Sequence, residues 1–464
     1  MQLNPRKGRL TAALGLMTAN LFAGALCAHT AQAQDSQNAS QNINDDTSTD
    51  ANLTRVDSAI LFYQEANGRV KAIEPVTSVT LNDDSGDSLH VKLTADTLTG
   101  ATPNGAAPWT AAQTFVTPSK TQGQKTTVTS ASGNSQLVTI PGTDVTARQY
   151  TTPANTLPVD SGFRDQRYAI DLGYTGTLDN GDRLNLGGAW STEHDYNSMS
   201  ANIGYARDFN DKNTTVSAEL NFEHDTSKPF FGTPEPFTEM SGVSKGGNRT
   251  KNVVDFVGGV TQVMNRYWLA QINYSLGDTS GYQTDPYRVI SVVDGNSGAP
   301  VKYLYESRPG SRIRQSLYLG NKIALWGTVA DVSARLYHDS WGINAETLEV
   351  AERIPLTSFL YVEPSYRYYH QSKANFFHDY LIDGQPLPAY ASSDSRLATF
   401  NANTIALKVG MRVLGNDELY LRAASYQQSG TSHPASAIGD LKTENLFTGV
   451  KATSVILGYS FAFY

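Results

Sequence analysis

The sequence predicts an all-β fold, a transmembrane antiparallel β-barrel of about 16 strands with short periplasmic turns and long extracellular loops. Three observations predict it: an export signal, a series of alternating apolar and polar segments, and a C-terminal strand with one apolar face. In that strand Val455, Leu457, Tyr459, Phe461 and Phe463 share one parity, and mostly small residues take the other. A wall between lipid and a polar lumen needs this alternation.

The first 33 residues are predicted to be a signal peptide. A cationic start precedes an apolar run from Leu10 to Leu26 and a small-residue cleavage site, so cleavage is expected after Ala33. The run is too short and too rich in glycine and alanine to favour a membrane span. Cys27, the single cysteine, leaves with this peptide, which excludes disulfides and thiol chemistry in the mature chain.

The mature chain is acidic and is not a helical membrane protein. Loss of Arg6, Lys7 and Arg9 lowers the formal net charge from −8 to −11, which argues against nucleic acid as a partner. No later stretch has the apolar length of a spanning helix. A barrel can be this polar because only alternate residues face lipid. A secreted all-β solenoid or sandwich protein is the alternative.

The chain divides into a signal peptide at 1–33, a polar, disordered periplasmic lead-in at 34–53 and a barrel at 54–464. Upward strands are predicted near 55–66, 88–99, 183–193, 214–224, 266–277, 328–338, 358–370 and 418–428. Downward strands are predicted near 70–82, 163–176, 199–209, 252–265, 312–325, 345–354, 396–413 and 448–464. The count could be wrong by two, because 55–82 and 345–370 carry the weakest signals.

Short and long connections alternate along the chain. The segments NDDSGD, LDNGD, NDKN and GNDE are typical of tight turns. Long connections are predicted at about 100–161, 226–250, 278–311 and 373–394. The loop at 100–161 is rich in Thr, Pro, Gln and Ser, and it is either an inward-folded constriction or a surface loop. Short turns below and long loops above are typical of outer-membrane barrels.

Several separated blocks resemble a known family. They include DTLTGATPNGA at 96–106, RQYTTPANTLPVDSGFRDQR at 148–167, HDSWGINAET at 338–347, RYYHQSKANFFHDY at 367–380 and SSDSRLATFNANTIALK at 392–408. The chain thereby resembles uncharacterised bacterial outer-membrane proteins of the DUF3570 type. This resemblance implies an outer-membrane barrel without an agreed activity or catalytic residues. It also implies a periplasmic lipoprotein or redox partner.

Strand parity predicts which charges line the lumen, because a charge on the lipid face near the bilayer midplane costs about 2–4 kcal/mol. The predicted lumenal charges are Glu74, Lys92, Asp96, Arg167, Asp171, Arg183, Glu219, Asp255, Arg314, Lys322, Asp331, Arg335, Glu363, Arg367, Lys408, Arg412 and Arg422. They form either a polar pathway that selects small hydrophilic solutes or a set of pairs that rigidify the barrel.

A recurring histidine near the upper strand ends suggests a metal site at first sight. However, His194, His224, His338 and His370 all share the lipid-side parity, so they cannot converge on one ion. No metal or other cofactor is therefore expected. Acidic neighbours of these histidines, with the opposite parity, are predicted to form an acidic upper mouth: Glu193, Asp195, Glu223, Asp225 and Asp339.

We expect a non-enzymatic, porin-like channel for small polar or charged solutes in the outer membrane of a Gram-negative bacterium. The alternative is a non-conducting barrel scaffold for the periplasmic redox or lipoprotein partner. An outer-membrane enzyme is less favoured, because neighbouring His and Asp residues on a strand face opposite sides and form no dyad. The expected partners are outer-membrane lipid and the barrel-assembly machinery, which would read Tyr459, Phe461, Phe463 and Tyr464.

Overall fold

The computed structural model describes residues 54–118, 128–130, 133–139, 146–230, 232–240, 246–415 and 417–463. The predicted signal peptide with Cys27, the lead-in at 34–53 and Tyr464 lie outside these residues. The first half of the barrel contains β1 (Thr54–Glu65), β2 (Lys71–Asn82), β3 (Ser88–Pro103), β8 (Val159–Thr177), β9 (Arg183–Thr192), β10 (Tyr196–Phe209), β11 (Thr214–Ser227) and β12 (Arg249–Asn265). The second half contains β13 (Trp268–Gly281), β16 (Ser311–Leu325), β17 (Thr328–Asp339), β18 (Asn344–Pro355), β19 (Leu360–Gln371), β21 (Phe400–Arg412), β22 (Glu418–Gly430) and β23 (Lys451–Phe463).

These sixteen strands close into one antiparallel barrel in which each pairs with the next along the ring. Closure occurs between β1 and β23, in a register that sets Thr54 opposite Phe463. The predicted all-β barrel of about 16 strands is therefore confirmed, and each predicted strand overlaps an observed one. Closure satisfies the backbone hydrogen bonds of every wall strand, which lipid requires. Within the described part of the chain, no helix is long and apolar enough to cross a bilayer.

Residues of opposite parity in the wall strands have opposite environments. In β11, Val216, Leu220 and Phe222 are exposed, whereas the alternating Ser217 and Glu219 are buried. The same alternation of exposed and buried residues runs along β23. An exposed apolar outer face is what lipid contact requires, so the protein is a barrel of the outer-membrane type.

The two ends of the barrel differ. At one end seven short turns join β2–β3, β8–β9, β10–β11, β12–β13, β16–β17, β18–β19 and β21–β22. At the other end the long connections are 104–158, 228–248, 282–310, 372–399 and 431–450. The last of these matches the gap between the strands predicted near 418–428 and 448–464.

The long connections contain strands of their own. The first includes β4 (Gln113–Pro118), β5 (Val128–Ser130), β6 (Gly133–Thr139) and β7 (Thr146–Thr152), in the order β4-β7-β6-β5. A second small sheet, in the order β15-β14-β20, combines β14 (Val289–Val293) and β15 (Pro300–Tyr305) with β20 (Leu381–Ile382) from another loop. The loops are therefore folded against one another.

Candidate functional site: a charged lumen beneath a loop cap

The inner face of the wall holds the charges singled out by parity. The structure places all seventeen on barrel strands in the inward register, with Glu74, Asp96, Glu219, Lys408 and Arg422 buried. Lys92 lies opposite Asp171 in the register of β3 and β8. Lys408 likewise lies opposite Glu363 in the register of β19 and β21. Charges of opposite sign are therefore neighbours on the inner wall.

Several ion pairs run along the wall. Arg167 lies 2.6 Å from Asp96 on the adjacent strand and 3.6 Å from Glu74, two strands away. Arg314 on β16 reaches Asp255 on β12 at 3.0 Å, across β13. Gly277 makes that reach possible, because a Cβ at this position would lie 2.2 Å from an Asp255 carboxylate oxygen.

Two further wall pairs lie near the short-turn end, and a third contact pairs a cation with an aromatic ring. Arg183 contacts Asp208 at 2.8 Å, and Lys322 contacts Asp331 at 3.7 Å. The Arg335 guanidinium lies 5.7 Å from the centre of the Tyr318 ring on the neighbouring strand. These contacts also lie along the wall, between neighbouring strands.

A compact cluster near the short turns includes residues that parity did not single out. The Glu418 carboxylate forms salt bridges with Lys408 at 3.6 Å and with Arg353 at 3.4 Å. Tyr361 donates its hydroxyl to Glu418 at 2.5 Å and lies beneath Arg353, whose guanidinium carbon is 3.8 Å from the ring centre. Gly410 provides the space, because a Cβ there would lie 2.1 Å from the tyrosine ring. Arg353 and Glu418 were missed because both lie at strand ends, beside turns.

The predicted acidic mouth contains cations as well. Asp225 lies 2.8 Å from Lys251, and Asp339 lies 2.5 Å from Arg312. Asp195 accepts a hydrogen bond from the Tyr287 hydroxyl of a long loop.

The other two carboxyl groups predicted at this mouth are those of Glu193 and Glu223. Burial, together with the nearby charge of Asp165, raises the pKa of Glu193 to about 7. Glu223 lies on β11, in the inward register two residues from Asp225. The mouth is thus a mixed-charge ring beneath the loops.

The histidines occupy the lipid side of the wall. The Nδ1 atoms of His224, His338 and His370 lie 2.7, 2.8 and 2.7 Å from the side-chain oxygens of cross-strand asparagines, namely Asn252, Asn344 and Asn401. His194 follows β9 and lies 3.8 Å from Asp195. Among the described residues, no group of three or more His, Cys, Asp or Glu side chains is placed to hold a metal ion.

The long loops form a folded cap over the upper mouth. Here "cap" means the described residues of connection 104–158, connections 282–310 and 372–399, and parts of 228–248 and 431–450. Its apolar core contains Phe115, Tyr150, Met240, Val289 and Tyr305. A second cluster joins Ala107, Val293 and Leu441. Four of the long connections therefore share buried contacts, as the parts of a small globular domain do.

The positions of the loop roots show that the cap crosses the lumen. The root of a loop is the pair of strand ends that it joins. Six barrel strands lie between the roots of 104–158 and 282–310, and four lie between those of 282–310 and 372–399. The remaining six lie between the roots of 372–399 and 104–158. Nevertheless, Ser393 donates its hydroxyl to the carbonyls of both Gly105 and Val289, at 2.6 and 3.1 Å. Loops rooted so far apart around a 16-stranded ring can meet only above its interior.

A buried ionic network holds two of these loops together. Asp394 is 0% exposed, and its carboxylate lies 2.6 Å from Arg396, 2.9 Å from Arg308 and 3.3 Å from Arg288. Glu306, also buried, lies 2.6 Å from Arg308. Burial alone would raise the pKa of Asp394, but the three guanidinium groups hold it well below its usual range.

This network was not predicted, because loops carry no alternation from which contacts could be read. Its only trace in the sequence is that Asp394 and Arg396 fall within the block at 392–408 that resembles other family members.

Several solved structures are similar to this chain at a low level. The ferric enterobactin receptor PfeA of Pseudomonas aeruginosa, as a mutant, is 12% identical, with a TM-score of 0.42 over 88% of this chain and 60% of the receptor. A bacterial polysaccharide outer membrane secretin is 8% identical, with a TM-score of 0.41 over 89% of this chain and 99% of the secretin. OccD3 (OpdP) of Pseudomonas aeruginosa is 9% identical, with a TM-score of 0.38 over 88% of this chain and 90% of OccD3.

The chain spans about three fifths of the length of the receptor. No curated protein matches it significantly. A family described as "Protein of unknown function (DUF3570)" matches residues 11–461, nearly the whole chain. The chain therefore belongs to the DUF3570 family.

Proposed function

We propose that the protein is an outer-membrane channel for small polar or charged solutes, with an outer mouth that the loop cap closes. The observation that carries this proposal is the arrangement of the lumenal charges. Pairs such as Arg167–Asp96 and Arg314–Asp255 follow the wall, and each joins strands one or two steps apart. Paired charges that line a wall leave the axis of a 16-stranded barrel free for solute.

The mixed signs of the wall favour solutes that carry both polarities or none. A hydrophilic solute exchanges its hydration for contacts with closely spaced cations and carboxylates. Strong selection for ions of one sign is not expected, because Lys92 lies opposite Asp171 and Lys408 lies opposite Glu363.

The cap supplies the gate in this proposal. Its apolar clusters and the Asp394 network resemble a folded core, so opening requires a cooperative rearrangement of the loops. We therefore expect rare, discrete openings in the native protein, unlike the steady conductance of an open pore.

The orientation proposed here sets the short turns in the periplasm and the cap outside the cell. Labelling of introduced cysteines in intact cells tests this orientation. The cysteines are placed at Asp179 or Gly415 in the short turns and at the exposed Asp440 in the cap. A membrane-impermeant thiol reagent should label only Asp440→Cys. Labelling of Asp179→Cys or Gly415→Cys would invert the orientation.

Conductance tests the channel itself. The refolded mature protein is inserted into planar bilayers, and the current is recorded across a salt gradient, with the cap variant Asp394→Asn beside the native protein. Discrete openings that are more frequent in the variant support a gated channel. If neither protein conducts although both are folded and inserted, the channel is rejected.

A second candidate is favoured by the same cap. A covered mouth also suits a non-conducting barrel that holds a periplasmic partner. That function predicts no current even after the cap is loosened, together with a specific partner at the periplasmic rim.

A further inference from the structure

The seven short turns divide the rim opposite the cap into two arcs. In ring order, the turns β2–β3, β8–β9 and β10–β11 come first and are rich in aspartate. We call them the acidic arc; its aspartates are Asp83, Asp84, Asp87, Asp179, Asp182 and Asp211. Of these, Asp83, Asp84, Asp179 and Asp211 are exposed. These three turns therefore give one part of the rim a negative charge.

The remaining four turns carry large apolar side chains, and we call them the apolar arc. The exposed members are Tyr267, Trp326, Leu356, Phe359 and Leu414. Trp326 is 96% exposed and Leu414 is 71% exposed, whereas a lipid-facing wall residue such as Leu220 is 40% exposed. These two side chains therefore project away from the wall instead of lying along it.

Trp326 adopts a backbone conformation that its residue type disfavours. Its φ is 49°, and Gly327 follows with a φ of 87°. Left-handed φ values suit Asn, Asp and Gly, whereas a bulky aromatic residue is strained there. In the acidic arc the left-handed positions are taken by Asn210, Asp211 and Lys212 and by two glycines, and none of them is aromatic. A strained turn that exposes an indole indicates a role outside the fold of this chain.

The bilayer alone does not account for the apolar arc. Lipid surrounds the whole barrel, so anchoring residues are needed on every side. Both arcs already have such anchors. Tyr174 donates its hydroxyl to Asp87 in the acidic arc, and Tyr459 donates to Asp417 at 2.7 Å beside the apolar arc. The two most exposed apolar tips, Trp326 and Leu414, are additional, and both lie in the apolar arc.

We propose that the apolar arc is the docking surface for a periplasmic protein that buries Trp326, Phe359 and Leu414. Basic side chains of that partner would face the exposed aspartates of the acidic arc. Tips of neighbouring turns are roughly 10 Å apart, because two strand spacings separate them. Four tips thus span about 30 Å, the width of a standard interface. Tryptophan is a typical central anchor of such an interface.

This proposal rests on the proposed orientation, which the cysteine labelling tests independently. A photo-crosslinking amino acid is introduced at Trp326 in living cells, and at Leu178, an exposed apolar residue of the acidic arc, as the matched control position. A discrete protein adduct should form at position 326 and should be absent at 178. Equal adducts at both positions, or no protein adduct at 326, would overturn the proposal.

An adduct that reports docking must depend on the other exposed residues of the apolar arc. Its yield at position 326 should fall at least about tenfold when Leu414→Asn or Phe359→Asn is added, because each removes an interface anchor. It should be unchanged by Leu178→Asn. It should also fall when Asp84 and Asp179 are both replaced by Asn, because basic groups of the partner face the acidic arc. An adduct indifferent to Leu414→Asn and Phe359→Asn would be a chance encounter.

Fluorescence separates a protein partner from lipid. Trp326→Asn suits the left-handed turn, so this variant should fold at least as well as the native protein. The difference between native and variant emission in vesicles isolates Trp326 from the other four tryptophans. Emission typical of water, without quenching by brominated lipid, supports a surface awaiting a protein. Strong quenching by that lipid would assign the arc to the membrane and contradict the proposal.

Discussion

Arg308 Nη2 lies 2.9 Å from Asp394 Oδ2, and this contact joins two loops whose roots are four strands apart on the barrel. Arg288 and Arg396 contact the same buried carboxylate. A buried ion pair is not in itself strong evidence for stability, but removal of one partner leaves uncompensated charge. Asp394 is therefore the side chain whose loss should open the cap most directly.

Asp394→Asn should loosen the cap without unfolding the wall. Three guanidinium groups would lose their shared carboxylate, at a cost of about 3–5 kcal/mol to the closed cap. Barrel pairing does not involve this residue, so the unfolding transition of the wall should stay close to native. Limited proteolysis of the protein in vesicles should show faster cleavage within 282–310 and 372–399.

Asp440→Asn is the matched control for that change. This aspartate is exposed in the same set of loops, so the control removes a similar charge without disturbing the network. Its cleavage rate should equal the native rate. Equal protection of Asp394→Asn and the native protein would show that the network does not hold the cap.

Acidic pH should also open the cap. The pKa of Asp394 is held well below 3.8, and that of Asp285, beside Arg288 and Arg396, is lowered as well. A carboxyl with a depressed pKa stabilises the folded state above its unfolded pKa and loses that contribution as pH falls through the folded value. The contribution of this network to proteolytic protection should therefore be constant from neutral pH down to about 3.8 and should fall below it.

The Asp394→Asn variant provides the internal comparison for this pH dependence. It lacks the main titrating group, so its loops should already be cleaved at neutral pH and should gain little further sensitivity in acid. A native protein that stays fully protected at strongly acidic pH would contradict the assignment.

The barrel was predictable because lipid imposes a simple rule on the wall. Each strand must present an apolar side chain at every second position, as Val455 and Leu457 do, and one shift of register would turn the apolar face inward. The folded cap was not predictable. Its small sheets and the β14–β20 pairing follow from contacts between loops, which have no period.

The functional site likewise has one part that could be predicted from the sequence and one part that could not. Parity located wall charges such as Arg167 and Asp96, because they lie within long alternating strands. It passed over Arg312, although that residue has the same inward parity as Arg314 at the start of β16. The pair Arg308–Asp394 joins residues 86 positions apart in different loops, and a single sequence contains no signal for such a contact.

Gly410→Ala should destabilise the wall near the short turns. The new Cβ would lie 2.1 Å from the Tyr361 ring, so the ring must leave its position beneath Arg353 and lose its bond to Glu418. Overpacking of this kind costs about 1–3 kcal/mol in the free energy of unfolding. Urea titration of the protein in vesicles measures it.

Two comparisons isolate the cause of that loss. Gly247→Ala meets no atom within 4 Å and should change the free energy of unfolding by less than about 0.5 kcal/mol. In a Tyr361→Ala background, Gly410→Ala should cost little, because the clash is gone. A full loss in that background would locate the damage elsewhere.

Replacing Phe461 and Phe463 together with Ala should block assembly of the barrel. Their rings continue from Tyr459 as a ladder, with centroids 5.6 and 6.0 Å apart, on the exposed side of β23. The proposed assembly signal consists of this aromatic face. Tyr459→Phe keeps the face and removes only the hydroxyl bonded to Asp417, so it should assemble normally and cost at most about 1 kcal/mol. Surface labelling of intact cells measures assembly, and normal labelling of the double alanine variant would show that the signal lies elsewhere.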